Sequence, residues 1–151
     1  MIKIITVGKI KEKYYTDAVN EYLKRLSKYT KIELIEVKDE DYDISKTLLS
    51  EKNNILKYID EKDYVITLEI EGEELDSVSL SKKINDIQLN NSNITFIIGG
   101  SYGLHDDIKK RSNYKLSFSK LTFPHQLFRV MLLEQLYRSY KIINNETYHK
   151  W

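Results

Sequence analysis

The segment YKLSFSKLTFPHQLFRVMLLEQLYRSY, residues 114–140, contains the only proline of the chain, Pro124, placed immediately before its most hydrophobic helical run. YKLSFS (114–119) alternates apolar and polar residues as a strand does, and the stretch from Pro124 to about Ile143 reads as a long helix. A proline in the first turn of a helix loses nothing, because its missing N–H would have had no partner there. At about 100° per residue, Leu127, Phe128, Val130, Met131, Leu132, Leu133, Leu136 and Tyr137 point nearly all round the axis, so no solvated face survives. Such a helix needs cover on more than one side. His125 and Arg129 stand at its start, four residues apart and so on one face.

The same alternation of strand and helix runs back to the N-terminus. IKIITV (2–7) reads as a buried strand, IELIEV (32–37) as an alternating one, YVITLEI (64–70) as a third, and NITFIIG (93–99) as a strand buried on both faces. Helical patterns lie between them: from about Tyr14 to Tyr29, with Ala18, Tyr22, Leu26 and Tyr29 near one face, from about Ser45 to Ile59, and over SLSKKINDIQL (79–89). A short helical turn near Asp106–Arg111 precedes the last strand. This spacing predicts an α/β fold with a mainly parallel sheet flanked by helices. No linker, repeat or low-complexity segment interrupts it, so residues 1–151 are expected to form a single domain, long enough to bury a core.

Composition excludes several function classes. With 41% apolar and 31% charged residues the chain is a folded protein rather than a disordered one. The lack of cysteine removes disulfide scaffolds, thiolate metal sites and cysteine nucleophiles, and no metal is expected. MIKIITVGKI is too broken by lysine and glycine for a secretory signal, and no apolar run approaches the roughly 18 residues of a membrane span. The expectation is a cytoplasmic protein without membrane contact. Net charge is +1, but residues 1–104 carry 15 Lys/Arg against 19 Asp/Glu, whereas residues 105–151 carry 9 against 4. The basic C-terminal third is able to meet a polyanion; a solvated, mildly polarised surface accounts for the same count.

Sheets of this kind bind ligands beyond the carboxyl ends of their strands. Three segments arrive there: TLEIEG, IIGGSYG and SFSKLTFPHQ, which between them hold Gly72, Gly99, Gly100 and Gly103 of the chain's five glycines. Glycine permits close backbone approach to a ligand, and a flat group such as an adenosine could be gripped by amides and carbonyls there. GGSYG fits neither G-x-G-x-x-G nor a P-loop, which argues against a Rossmann dehydrogenase or an NTPase. Plain turn chemistry is the competing reading of the glycine pair.

Taken together, IGG-x-x-GL (98–104), LS-x-S-x-LT-x-PHQ-x-x-RV (116–130), EQ-x-YR (134–138) and the terminal YHK (148–150) resemble the ribosomal RNA large subunit methyltransferase H family, small enzymes of the SPOUT (α/β-knot) superfamily. VGKIKEKYY and ELIEVKDE extend the resemblance to the start of the chain. The resemblance implies a C-terminal trefoil knot, which ordinary topology rules would exclude. It implies S-adenosyl-L-methionine as cofactor and methylation of N3 of a pseudouridine in 23S, large-subunit ribosomal RNA, on assembled ribosomes. It further implies a homodimer in which the last helix is covered by the sheet on one side and by the second subunit on the other, and in which each tail helps complete the other subunit's site. By motif, the cofactor positions are Leu68, Gly100, Ser119, Lys120, Leu121, Thr122, Phe123 and Pro124.

Methyl transfer from a sulfonium is an in-line displacement that needs placement more than a protein nucleophile. The imide N3–H must lose its proton, so a base, or cations that stabilise the anion, should lie nearby. The candidates are His125, Arg129, Tyr148 and His149. Each has a structural alternative. His125 at a helix start can simply bond loop backbone, Arg129 on an apolar helix can be paired with an acid, and a terminal NNETYHKW is normally a frayed end. Glu134 and Arg138, four apart and opposite in charge, read as a salt bridge. Two further functions remain open: a non-catalytic ribosome-binding or assembly factor, and a methyltransferase acting on another RNA, since no base-reading motif is visible.

Overall fold

In the computed structural model, residues 1–150 are described, and strands and helices alternate throughout: β1 (Ile2–Val7), α1 (Lys13–Leu26), β2 (Ile32–Val37), α2 (Ile44–Leu56), β3 (Tyr64–Glu74), α3 (Ser77–Asn90), β4 (Ile94–Ile98), α4 (Asp106–Arg111), β5 (Tyr114–Ser117) and α5 (His125–Ile143). The strands form one sheet in the order β2-β1-β4-β3-β5, and every pairing is parallel. β1 and β4 lie at its centre and are buried along their whole length. Period-two alternation sorts their side chains. Ile2, Ile4 and Phe96 enter one hydrophobic layer with residues of α1, α3 and α5, while Ile5, Val7 and Ile97 enter the other with residues of α2 and α4.

The helix over 125–143 is covered mostly from within the chain. α5 lies against both α1 and α3, and Leu132, Leu133 and Leu136 are wholly enclosed. Each such burial contributes about 1.5–3 kcal/mol. No residue from Gln126 to Ile143 is fully exposed, and Leu127, Val130 and Met131 are half-buried. Tyr140 stacks on Tyr29 with centroids 5.8 Å apart, which ties the end of α5 to the turn after α1.

Several boundaries differ from the sequence-based expectation, for local reasons. α1 stops at Leu26, short of Tyr29, and Ser27 Oγ donates to the Lys24 carbonyl at 2.6 Å, so the serine competes with the helix ladder. α2 and α3 begin earlier than read, where Asp43 and Asp76 accept the amides of Lys46 and Ser79 at 2.9 and 2.7 Å. Pro124 is the cap residue rather than the first helical one: its ψ of 138° is extended, while its carbonyl accepts the Phe128 amide at 2.9 Å.

At the amino ends of the strands a polar cluster is sealed in. Lys3 Nζ lies 2.6 Å from Asp63 Oδ2, and that oxygen also accepts from the Asp60 amide at 2.9 Å and the Thr95 hydroxyl at 3.1 Å. Burial alone would push the Asp63 carboxyl up; the bonds from Lys3, Asp60 and Thr95 outweigh it and hold the group below the usual carboxylate range.

Candidate functional site

A cleft of about 350 Å³ opens at the carboxyl ends of β3, β4 and β5. It falls within the size class of small-molecule sites. Its first wall comes from an irregularity in β3, which runs on past the expected end at Ile70. Leu68 and Glu73 both face Leu116 of β5, so residues 69–72 leave the ladder between them. The slip requires a glycine: a Cβ at Gly72 would stand 2.7 Å from the Lys115 carbonyl oxygen. Glu69 Oε2 accepts the Thr67 hydroxyl at 2.6 Å, and Glu69 and Glu71 put carboxylates on the cleft.

The second wall is the turn after β4. Gly103 takes φ +78° and donates its amide to the Gly100 carbonyl at 3.1 Å, closing the turn on itself. A Cβ at Gly99 would lie 2.6 Å from the Gly103 oxygen, so the two ends of the turn approach as only glycine permits. Behind Gly100, Glu51 of α2 is buried. Burial pushes its carboxyl up, the Glu40 amide pulls it partly back, and the charges of Asp39 and Glu40 push it further.

The third wall follows β5, which ends at Ser117, two residues before the expected limit. There Ser117 Oγ donates to the Ser119 carbonyl at 3.0 Å, and Ser119 Oγ accepts the Leu121 amide at 3.0 Å, which turns the chain out of the sheet. The loop then runs to His125 at the start of α5.

Of the positions expected to hold a cofactor, Leu68, Gly100, Ser119, Leu121, Thr122 and Phe123 line this cleft. Lys120 is exposed on the same loop, and Pro124 caps α5. His125 also lines the cleft and is exposed. Glu69, Ile70 and Glu71 line it as well and were not singled out; TLEIEG pointed to the segment, but the slip that takes those residues out of the ladder left no mark in the pattern, and Lys109 of α4 joins them from the basic C-terminal third.

The other three catalytic candidates lie elsewhere. Arg129 is 1% exposed, with Nη1 2.6 Å from Glu36 Oε2 and Nη2 donating to the Gly8 carbonyl at 3.2 Å. Its geometry is that of the structural pairing, a tie between α5 and the β1–β2 edge, and it does not line the cleft. Tyr148 and His149 are folded back on their own chain. The Tyr148 ring meets Tyr137 edge-on at 4.9 Å, and Arg138 lies over it at 4.7 Å. Arg138 Nη1 is 3.1 Å from His149 Nδ1. A guanidinium only donates, so in a hydrogen bond between the two Nδ1 is the acceptor. Glu134 holds Arg138 at 2.8 Å, the expected i,i+4 bridge. His149 borders a second cavity of about 630 Å³, between the start of α3, β5 and α5, which shares Leu116, Ser117 and Phe118 with the first.

The family described as "Predicted SPOUT methyltransferase" matches residues 1–149. The chain belongs to the SPOUT methyltransferase family. Within that family it is 58% identical to a relative from Methanococcus maripaludis and 55% identical to the ribosomal RNA large subunit methyltransferase H of Clostridium tetani, with 99% of each chain covered in both comparisons. These place it in the methyltransferase H group of SPOUT enzymes. A solved structure, tRNA (m1G37) methyltransferase from Aquifex aeolicus, superposes with a TM-score of 0.56 at 13% identity, covering 91% of this chain and 69% of that one. At that identity the likeness speaks for the SPOUT fold alone. In this SPOUT chain no described helix is long and apolar enough to cross a membrane.

Proposed function

We propose that the chain transfers a methyl group from S-adenosyl-L-methionine to N3 of a pseudouridine in large-subunit ribosomal RNA, on assembled ribosomes in the cytoplasm, as a homodimer. The observation that carries this reading is the cleft at the carboxyl ends of β3, β4 and β5, in which six of the eight motif-derived cofactor positions and His125 share one wall system. The donor set suits the cofactor. Apolar Leu68, Ile98 and Leu104 can flank a flat base, backbone of the Gly99–Gly103 and Ser119–Phe123 segments offers amides and carbonyls, and Glu69 and Glu71 suit a cationic ligand. When bound, that cofactor supplies an electrophilic methyl carbon. The chain's own task is to place the acceptor nitrogen in line and to take its proton. His125, the imidazole on the cleft, is the residue proposed for the second task.

The homodimer is supported by apolar side chains that the single chain leaves open: Ile70 and Leu121 on the cleft, at 51% and 69% exposure, with Leu127 and Met131 of α5 half-buried. As the family resemblance implies, the tail of one subunit, with Tyr148 and His149, would help complete the cleft of the other. The trefoil passage of the C-terminal segment belongs to the same reading.

The test is incubation of the purified protein with methyl-labelled cofactor and ribosomes that lack the modification, followed by nuclease digestion and mass spectrometry. Label on one large-subunit pseudouridine is expected. Cofactor binding without transfer to ribosomes would overturn the substrate, and efficient turnover on protein-free transcript would overturn the requirement for assembled ribosomes.

A further inference from the structure

The segment between β1 and α1 is built more firmly than a connecting loop requires. Gly8 leaves the sheet with φ +93°, and its carbonyl accepts from the enclosed Arg129 at 3.2 Å. The Ile10 amide donates to Glu36 Oε2 at 3.2 Å, and the Lys11 amide donates to Gln126 Oε1 at 3.0 Å. Side chains from β2 and α5 thus hold three consecutive stretches of its backbone. Gln126 adjoins His125, so the segment is fastened beside a residue of the cleft, at the same carboxyl end of the parallel strands.

What this rigid backbone presents is basic and aromatic. Lys9 and Lys11 are exposed, and neither has an ion-pair partner among the described residues, whereas Lys13 is committed to Asp17 at 2.8 Å. Tyr14 is 65% exposed, with Tyr15 backing its ring at a centroid distance of 4.6 Å. Lysines on a pre-ordered backbone suit phosphates, and an open, supported tyrosine ring suits an unstacked base.

We propose that residues 8–14 form an RNA-docking segment, in which Lys9 and Lys11 hold phosphates and Tyr14 stacks on an unpaired base of the strand that flanks the target nucleotide. This rests on the reading of the cleft as a ribosomal RNA methyltransferase site. It assigns Arg129 and Glu36 a positioning role, through the segment they hold.

The test compares K9A/K11A and Y14A with K57A/K62A, which removes equal charge from exposed lysines away from this end of the sheet. KM for ribosomes and kcat are measured across a salt series, with cofactor affinity and thermal melting as controls on folding. K9A/K11A should raise KM about tenfold or more with kcat within about twofold, and flatten the log–log salt dependence by about 1.5, since each phosphate contact contributes roughly 0.7–0.9. Y14A should raise KM about fivefold or more, and Y14F should restore it. A KM for K9A/K11A no higher than that of K57A/K62A overturns the proposal. So does a raised KM with an unchanged salt slope, which would indicate a protein partner. If the unaltered protein methylates no ribosome, the functional reading has failed instead, and the segment is then judged by binding of a labelled single-stranded RNA oligonucleotide. Weaker binding by K9A/K11A and Y14A supports it; equal binding overturns it.

Discussion

At the scale of single residues, the turn after β4 is the most demanding point of the cleft. Gly99→Ala would press a methyl group against the Gly103 carbonyl oxygen and carbon, 2.6 and 2.8 Å away. Both are backbone, so the turn itself must open. Cofactor affinity is expected to fall at least about tenfold, with about 1–3 kcal/mol lost from stability, measured by calorimetric titration and urea melts. Gly103→Ala meets open space, and its cost is only the left-handed backbone, about 1–2 kcal/mol. Glu51 makes a pH-dependent prediction. Its folded-state pKa is raised, so the group favours the fold in its protonated form, and that contribution is lost as pH rises through the folded value. Glu51→Gln keeps an acceptor for the Glu40 amide without the charge. Its melting temperature should exceed that of the unaltered protein by about 2 °C or more at pH 7–8, and the difference should vanish toward pH 4.

At the scale of elements, α5 and the tail behave as one unit. Glu146 accepts the Tyr29 hydroxyl at 2.9 Å and pairs with Lys141 at 3.2 Å, so the residues after the helix are docked rather than frayed. Yet none of the described tail residues lines the cleft of its own chain. Truncation after Asn145 is therefore expected to abolish methyl transfer while cofactor affinity stays within about threefold, checked by single-turnover transfer and by titration; a truncated chain with full activity would refute a role for Tyr148 and His149. The helix itself was legible because an all-round apolar pattern behind a proline can hardly be anything else. What covers it was not legible, since α1 and α3 supply apolar faces from the N-terminal part and the middle of the chain, far from α5 in sequence.

For the whole molecule, the buried Lys3–Asp63 pair makes part of the stability dependent on pH on the acid side. The Asp63 pKa is depressed in the folded state, so its contribution is present above the unfolded value near 3.9 and is lost as pH falls through the folded one. Asp63→Asn leaves Lys3 buried beside only the largely exposed Asp60 and the Tyr58 carbonyl. It should cost about 3 kcal/mol at neutral pH, shrinking below about pH 4, in urea melts followed across that range. The order of strands and helices, the parallel sheet and the three converging loops could be read from the sequence, because periodicity, capping and glycine or proline turns act over a few residues; the proposed cofactor positions came from the family motif, and six of the eight line the cleft those loops form. Family membership was readable too, from motifs spread along the chain. Only the tertiary structure decided the strand order β2-β1-β4-β3-β5, the slip between Leu68 and Glu73, and the pairing of Arg129 with Glu36 across 93 residues. Each depends on which backbone edges and buried charges find partners at long range, and a buried group takes whichever partner the packed fold brings to it.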